Sequence, residues 1–140
     1  MRYLGVDYGR KRIGLALSDE GEILASPLPI YEQKRPGNVI PFLDSLAVKH
    51  DIGGFVVGLP KNMDDSLGPM AQEVLRFASE LRELTKRPVI MIDERRTSAE
   101  AEQILVAADR SRKKRRKVQD SVAAVLILQR YLDQQHPPQS

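Results

Sequence analysis

The chain of 140 residues contains no cysteine and only two histidines. Without cysteine it can form neither a disulfide framework nor a zinc or iron–sulfur site built on thiolates. The absence also fits a reducing compartment, so we expect a cytoplasmic protein. His50 falls at the end of a predicted helix and His136 in the C-terminal tail. Histidine-based acid–base or zinc catalysis is therefore not indicated.

Long apolar runs and a secretory leader are also missing. No apolar stretch approaches the roughly 20 residues that a membrane span needs. The N-terminus leads directly into a predicted strand, without the apolar region and small-residue cleavage site of a signal peptide. We therefore expect no membrane association. The length favours a single domain over residues 1–134, followed by a disordered tail over 135–140.

Basic residues are most concentrated in two places, although the net charge is just +3. The segment from Arg110 to Lys117 reads RSRKKRRK. Like charges packed this densely repel one another, which predicts a flexible, solvated loop. Such a surface favours polyanions, above all nucleic acid, although a merely solubilising loop is the alternative. A second basic group, Arg10 to Arg12, lies in a predicted hairpin turn.

The hydrophobic pattern predicts one α/β domain. Three strands come first, at 3–7, 13–18 and 23–28, and Pro27 and Pro29 place the third strand at an edge of the sheet. Helices and strands then alternate: a helix at 39–49, a buried strand at 53–57, a helix at 69–84, a buried strand at 89–92, a helix opening at Thr97, and a last helix at 118–132. We expect a mixed five-stranded sheet, with strands 1–3 antiparallel, flanked by helices.

Acidic residues lie at the ends of several of these elements. Asp7 ends the first strand, Asp93 and Glu94 end the last strand, and Asp120 lies in the first turn of the last helix. Small residues follow Asp120 one turn later, which would let that helix approach the sheet closely. Acids far apart in sequence that converge at element ends are typical of metal-dependent phosphoryl-transfer sites.

Each acid also has a simpler interpretation. Asp7 alone suits the cap of a hairpin turn, and Asp120 alone would complement a helix dipole. The pattern Asp7-x-Gly9 also resembles the phosphate-binding hairpin of actin-like and sugar-kinase ATPases. Those proteins close two lobes around a nucleotide, whereas this chain has room for one lobe and contains no Walker A loop.

Four segments carry a family resemblance. They read GVDYGRKRIGLALSD, VVGLPKNMDDSLGP, IDERRTSAEAE and KVQDSVAAVLILQRYLD. In this order they resemble the motif blocks of the YqgF family, also called RuvX, over nearly the whole chain. Its members are described as Holliday junction resolvases and as pre-16S ribosomal RNA nucleases. The resemblance implies an RNase H-like fold of the RuvC type. Asp65 departs from the family, which usually has glycine at that position.

The resemblance also implies roles for individual residues. Asp7 would be a metal ligand on the first strand, Glu94 the acid of the Asp-Glu-Arg motif, and Asp120 the acid of the last helix. These three acids would be both catalytic and metal-binding. Gly58 would open a substrate-side loop, and Arg95 would lie beside the phosphates.

The sequence therefore predicts a hydrolase, an Mg²⁺- or Mn²⁺-dependent endonuclease acting in 5′-end processing of pre-16S ribosomal RNA. A Holliday junction resolvase acting on branched DNA and a non-catalytic nucleic-acid-binding module are the alternatives. Symmetric junction resolution needs two sites at a fixed spacing, normally in a dimer. Because the chain offers no extra dimerisation element, RNA and a monomer are favoured, with a homodimer as the alternative. The residues predicted to bind the nucleic-acid backbone are Arg10, Lys11, Arg12, Arg95, Lys113, Lys114, Arg115, Arg116 and Lys117.

Overall fold

The computed structural model describes residues 1–35, 38–94 and 112–136, and the side chains of all of these except 112–121. In chain order the elements of these ranges are β1 (Arg2–Asp7), β2 (Arg12–Ser18), β3 (Ala25–Glu32), α1 (Val39–Lys49), β4 (Ile52–Leu59), α2 (Pro69–Thr85), β5 (Val89–Asp93) and α3 (Arg112–Gln135). None of the helices described is long and apolar enough to cross a bilayer.

The strands form one mixed sheet in the order β3-β2-β1-β4-β5. β1 and β3 each pair antiparallel with β2, which confirms the predicted arrangement of the first three strands. β4 pairs parallel with both β1 and β5. β1, β4 and β5 therefore all end at one edge of the sheet, at Asp7, Leu59 and Asp93. We call this edge the carboxyl edge.

Alternating side chains of the sheet form two cores. On β2, Ile13 and Leu15 are buried in the core shared with α1 and α2, whereas Ala16 is buried in the core shared with α3. Successive residues of a strand point to opposite faces, so this is the predicted alternation of apolar and small side chains. Helices α1 and α2 thus cover one face of the sheet and α3 covers the other.

A glycine lets α3 come close to β1. A Cβ atom at Gly5 would lie 2.8 Å from Cβ of Leu128 and 3.0 Å from the carbonyl oxygen of Ala124. The second contact is with backbone, which cannot rotate away. Small residues at this crossing therefore bring the helix against the strand that ends in Asp7.

This close approach gives a first prediction. Gly5→Ala should lower the free energy of unfolding by about 1–3 kcal/mol, because the added methyl group overpacks the crossing. Gly21→Ala is the matched control, since a Cβ there would come no closer than 3.3 Å to any other atom, the nearest being a side-chain oxygen of Asp19. Urea unfolding of both variants measures the difference, and equal stabilities would contradict the close packing of α3.

Several predicted boundaries need correction. β3 begins at Ala25 and ends at Glu32, beyond the predicted 23–28, although it is an edge strand as its prolines indicated. The prediction of burial for 89–92 is wrong except at Ile92. Like β3, β5 is an outermost strand of the sheet, and its first three residues are partly exposed. The strand predicted at 53–57, now β4, is central and buried along most of its length.

The predicted loop at Arg110 to Lys117 is also wrong for residues 112–117, because α3 begins at Arg112 rather than at 118. Lysine and arginine are good helix formers, and extending an existing helix costs far less than starting one. Repulsion between like charges amounts to only a few tenths of a kcal/mol per pair, so it does not stop the helix. The helix predicted to open at Thr97 and most of the predicted tail lie outside the described residues.

Candidate functional site

Two of the predicted acids meet at the carboxyl edge. Asp7 is the last residue of β1, and Glu94 directly follows β5. The backbone N–H of Glu94 donates a 3.2 Å hydrogen bond to the carbonyl of Leu59, which fixes Glu94 beside the end of β4. The carboxyl groups of Asp7 and Glu94 are close enough to hydrogen-bond. Strand pairing thus brings together two residues that are far apart in the sequence.

Gly58 makes room for the Glu94 carboxylate. A Cβ atom at this position would lie 2.7 Å from Oε2 of Glu94 and 2.5 Å from Cδ1 of Ile127 on α3. The glutamate side chain therefore lies directly on the backbone of β4, beneath α3. The sequence motif predicts Gly58 only as the start of a loop. Glycine inside a strand is itself a signal of close approach, and that signal could have indicated this role.

The Glu94 carboxyl group is in an unfavourable environment for a negative charge. The residue is only 8% exposed, and its Oε2 atom is buried without a hydrogen-bond partner. Burial is the largest cause that raises the pKa of Glu94 above its ordinary value, and the charge of Asp93 acts in the same direction. A hydrogen bond that the carboxyl of Asp7 donates when protonated opposes this rise. Two neighbouring carboxyl groups of this kind cannot both ionise cheaply without a cation.

These observations fit a divalent cation. Magnesium prefers oxygen ligands, commonly one or two carboxylates together with phosphate oxygens and waters. A buried carboxylate oxygen with no partner in the protein is an available ligand. Among the residues whose side chains are described, no three acidic or histidine groups come together at metal-binding spacing. The third predicted acid, Asp120, belongs to α3, but its side chain lies outside that set.

Asp93 contributes differently from its neighbour Glu94. Its carbonyl oxygen accepts a 2.8 Å hydrogen bond from Nη1 of Arg130 on α3. This contact ties the end of β5 to the helix that carries Asp120. Its carboxylate acts on Glu94 through its charge. The sequence left the contribution of Asp93 open, and the structure gives it an electrostatic one.

The basic hairpin turn is held by one glutamine. The Gln33 side-chain amide donates hydrogen bonds to the carbonyls of Gly9, at 3.3 Å, and Arg10, at 3.0 Å. Its backbone N–H donates another to the carbonyl of Lys11, at 2.8 Å. Gln33 is missed by reasoning from the sequence, because nothing near it in the chain connects it to the turn. The exposed Lys34 follows directly, so it extends the basic turn along the same edge.

The predicted nucleic-acid-binding residues fall into three groups. Arg10 and Lys11 are exposed and Arg12 is partly buried, and Nε of Arg10 pairs with Glu73 on α2 at 3.1 Å. Lys113 to Lys117 lie on the first turns of α3, with side chains outside the described set. Arg95 lies outside the described residues altogether.

The loop after β4 is organised by short polar contacts. The backbone N–H of Asn62 donates to the carbonyl of Ser66 at 3.0 Å, and Oγ of Ser66 donates to Oδ1 of Asp64 at 2.6 Å. Asp65 has a φ of 68°, in the left-handed region. This explains why glycine suits the position: it adopts that conformation without a clash of its Cβ atom.

The left-handed conformation gives a second prediction. Asp65→Ala and Asp65→Gly both remove the carboxylate, and they differ only in the Cβ atom. Asp65→Ala should therefore be less stable than Asp65→Gly by about 1 kcal/mol, the cost of a left-handed alanine. Thermal unfolding of the two variants measures this difference directly. Identical melting temperatures would show that residue 65 is not held at positive φ.

Known sequences match this chain over nearly its whole length. The sequence profile of the RuvX family, described as Holliday junction resolvase, matches residues 1–134. A protein of Caldanaerobacter subterraneus subsp. tengcongensis named "Putative pre-16S rRNA nuclease" is 42% identical over 136 residues, covering 96% of this chain and 98% of the relative. A protein of Halalkalibacterium halodurans with the same name is 44% identical over 137 residues, with the same shares covered.

Comparison with solved structures confirms the fold. Thermus thermophilus RuvC in complex with a Holliday junction substrate matches with a TM-score of 0.60 at 14% sequence identity. The match covers 98% of this chain and 97% of that one. At this identity the likeness concerns the fold alone. The RNase H-like fold of the RuvC type, expected from the sequence motifs, is therefore confirmed.

Proposed function

Because the chain belongs to the RuvX family, and its curated relatives are named as nucleases, we propose that it is a divalent-metal-dependent endonuclease that processes the 5′ end of pre-16S ribosomal RNA. The observation that carries the proposal is the pair Asp7 and Glu94 at the carboxyl edge, with Oε2 of Glu94 buried and unpartnered. A buried polar group without a hydrogen-bond partner calls for an explanation in a native protein, and a bound metal ion provides one. This role is performed in the cytoplasm, a location that the absence of cysteine also fits.

The proposed mechanism assigns a task to each residue. Asp7 and Glu94 would hold the metal, and Asp120 would be the third ligand. A bound metal would supply an activated water and stabilise the charge on the leaving oxygen. Gly58 leaves the space in which the Glu94 carboxylate lies against β4. The turn from Arg10 to Arg12 lies at the end of β1 beside Asp7, where it binds phosphates flanking the cut.

RNA is the substrate that the comparisons favour. The relatives named for pre-16S ribosomal RNA cover nearly the whole chain at more than 40% identity. The structural match to a Holliday junction complex is at 14% identity. The description of the family as Holliday junction resolvase keeps branched DNA as the second candidate substrate. Cleavage of RNA does not require the two coupled sites that symmetric junction resolution needs, so we propose a monomer as the active form.

One experiment tests the proposed function and its alternative together. The purified protein is incubated with Mn²⁺ and either an RNA spanning the 5′ end of the 16S precursor or a four-way DNA junction. We expect metal-dependent cuts in the RNA and no paired symmetric cuts in the junction. Paired cuts in the junction with intact RNA would identify a resolvase. Binding of both without any cleavage would identify a non-catalytic binding module.

The basic segment from Lys113 to Lys117 gives a third prediction. Replacing Lys113, Lys114, Arg115 and Arg116 with alanine should weaken binding to RNAs of different sequence to the same extent. The slope of log affinity against log salt should become shallower by about 0.7 to 0.9 for each phosphate that the variant no longer neutralises. Lys49 and Arg82, which are exposed near the C-terminal ends of α1 and α2, provide the control double variant. If the two variants changed the slope of log affinity against log salt by the same amount per charge removed, the segment would serve solubility alone.

A further inference from the structure

A pocket lies on the opposite face of the sheet from the two acids, just beyond the end of β1. Its volume is about 500 Å³, which is within the range of small-molecule sites. Tyr8, the residue after Asp7, forms one wall, and Gln33 lies beside it. Glu73, Arg76, Phe77 and Glu80 line the pocket from α2. These α2 positions are three to four residues apart, so they share one face of the helix.

The pocket combines an aromatic surface with polar groups. The rings of Tyr8 and Phe77 lie 4.5 Å apart between centroids at an angle of 30°. Phe77 is buried, and Tyr8 is partly exposed. The carboxylate of Glu73 is held in place by the guanidinium of Arg10, at 3.1 Å.

The chemistry of this lining selects among ligands. The charges of Glu73 and Glu80 are balanced by those of Arg10 and Arg76, so the lining does not attract an anion in particular. A flat aromatic ring with exocyclic amino groups suits it better, because aromatic side chains stack on nucleobases and carboxylates accept hydrogen bonds from amino groups. The guanidinium groups of Arg10 and Arg76 can stack on a base or contact its phosphate. Oε1 of Gln33 is also buried without a hydrogen-bond partner, so an acceptor is left over at this wall.

The position of the pocket connects it to the acids. Tyr8 and Asp7 are consecutive, so their side chains leave the end of β1 on opposite faces of the sheet. The hairpin turn that Gln33 holds follows directly after these two residues. A nucleic-acid strand can therefore place one phosphate at Asp7 and Glu94. The base next to that phosphate can then reach the pocket by passing around the carboxyl edge.

We propose that this pocket binds one unstacked base of the substrate strand, next to the phosphate that is cut. This inference rests on the proposed nuclease function, because it assumes that a nucleic-acid strand crosses the carboxyl edge. Base capture would orient the strand and favour single-stranded or looped segments, where bases are free to turn outward. The preferred base carries an exocyclic amino group, which would donate to the carboxylate of Glu73 on α2.

The test measures binding in Ca²⁺, without relying on cleavage. The probe is a single-stranded RNA of roughly 12 nucleotides containing 2-aminopurine, whose emission can be followed selectively because the chain has no tryptophan. We expect wild-type protein and Tyr8→Phe to quench the probe on binding. Tyr8→Ala should remove the quenching and weaken binding by roughly 5- to 100-fold, as removal of a stacking partner does. Phe42→Ala, which removes an exposed aromatic ring outside the pocket, should bind like wild type.

A second variant covers the case in which Tyr8→Ala does not fold. Glu73→Gln should reduce the preference for 2-aminopurine over unsubstituted purine in the same RNA, whereas Glu83→Gln, the same change outside the pocket on α2, should not. Wild-type binding and quenching by folded Tyr8→Ala, or an unchanged preference in Glu73→Gln, would overturn the proposal. Free 2-aminopurine riboside that binds as tightly as the RNA would also overturn it, because the pocket would then be a small-molecule site. Normal quenching without Mn²⁺-dependent cleavage would contradict the nuclease function and leave base binding established.

Discussion

Asp7→Asn is expected to reduce cleavage of the RNA substrate by on the order of a thousandfold or more, while RNA binding stays within a few-fold of wild type. Asparagine keeps the shape of the side chain and its packing at the end of β1. It removes the negative charge that, together with Glu94, holds the cation. The loss should therefore appear in kcat, with little change in the RNA affinity measured in Ca²⁺.

The control is Asp51→Asn, which removes the same charge in the turn between α1 and β4, away from the carboxyl edge. Asp51 has a φ of 54°, a conformation that asparagine tolerates well. This variant should cleave at the wild-type rate. Mn²⁺-dependent cleavage by well-folded Asp7→Asn at more than about a tenth of the wild-type rate would remove Asp7 from the metal site.

Glu94→Gln is expected to have two opposite effects. In metal-free buffer it should raise the free energy of unfolding by about 1–2 kcal/mol, because a neutral amide replaces a buried carboxylate with an unpartnered oxygen. The amide can also donate a hydrogen bond to the carboxylate of Asp7, beside which the Glu94 carboxyl group lies in the wild type. Wild type should gain about 2.7 kcal/mol from Mn²⁺ at one hundred times its dissociation constant. Mn²⁺ should not raise the free energy of unfolding of Glu94→Gln in this way.

Thermal unfolding with and without Mn²⁺ measures both effects. Glu83→Gln is the control, since Glu83 is exposed on α2 and its replacement should change neither value. If Mn²⁺ stabilised Glu94→Gln as much as wild type, Glu94 would not be a ligand. If metal-free Glu94→Gln were instead less stable than wild type, the Glu94 carboxylate would be satisfied in the apo protein.

The sequence predicts the architecture well because that information is local. The alternation on β2 and the continuous apolar run of β4 each determine which faces of a strand are buried. The meeting of Asp7 and Glu94 was also predictable, since parallel strands end at one edge. The start of α3 was not, because the charge pattern alone does not show how far helix propagation from a packed segment extends.

Features that depend on contacts between distant elements could not be predicted. Gln33 holds a turn that is distant in the sequence, and Gly58 leaves space for a side chain from another strand. The pocket between Tyr8 and α2 exists only once β1 and α2 have packed together. The roles of Asp120 and Arg95 stay predictions from the family motifs.

The most direct test of the proposed metal site is a crystal structure of the protein grown with Mn²⁺, with the ion located by its anomalous scattering. We predict Mn²⁺ bound to the carboxylates of Asp7 and Glu94, including the Glu94 Oε2 atom that has no partner in the protein. Asp120 should complete the protein ligands. Mn²⁺ at saturating concentration bound only elsewhere, with the carboxyl groups of Asp7 and Glu94 still in contact with each other, would contradict a metal-dependent nuclease site at the carboxyl edge.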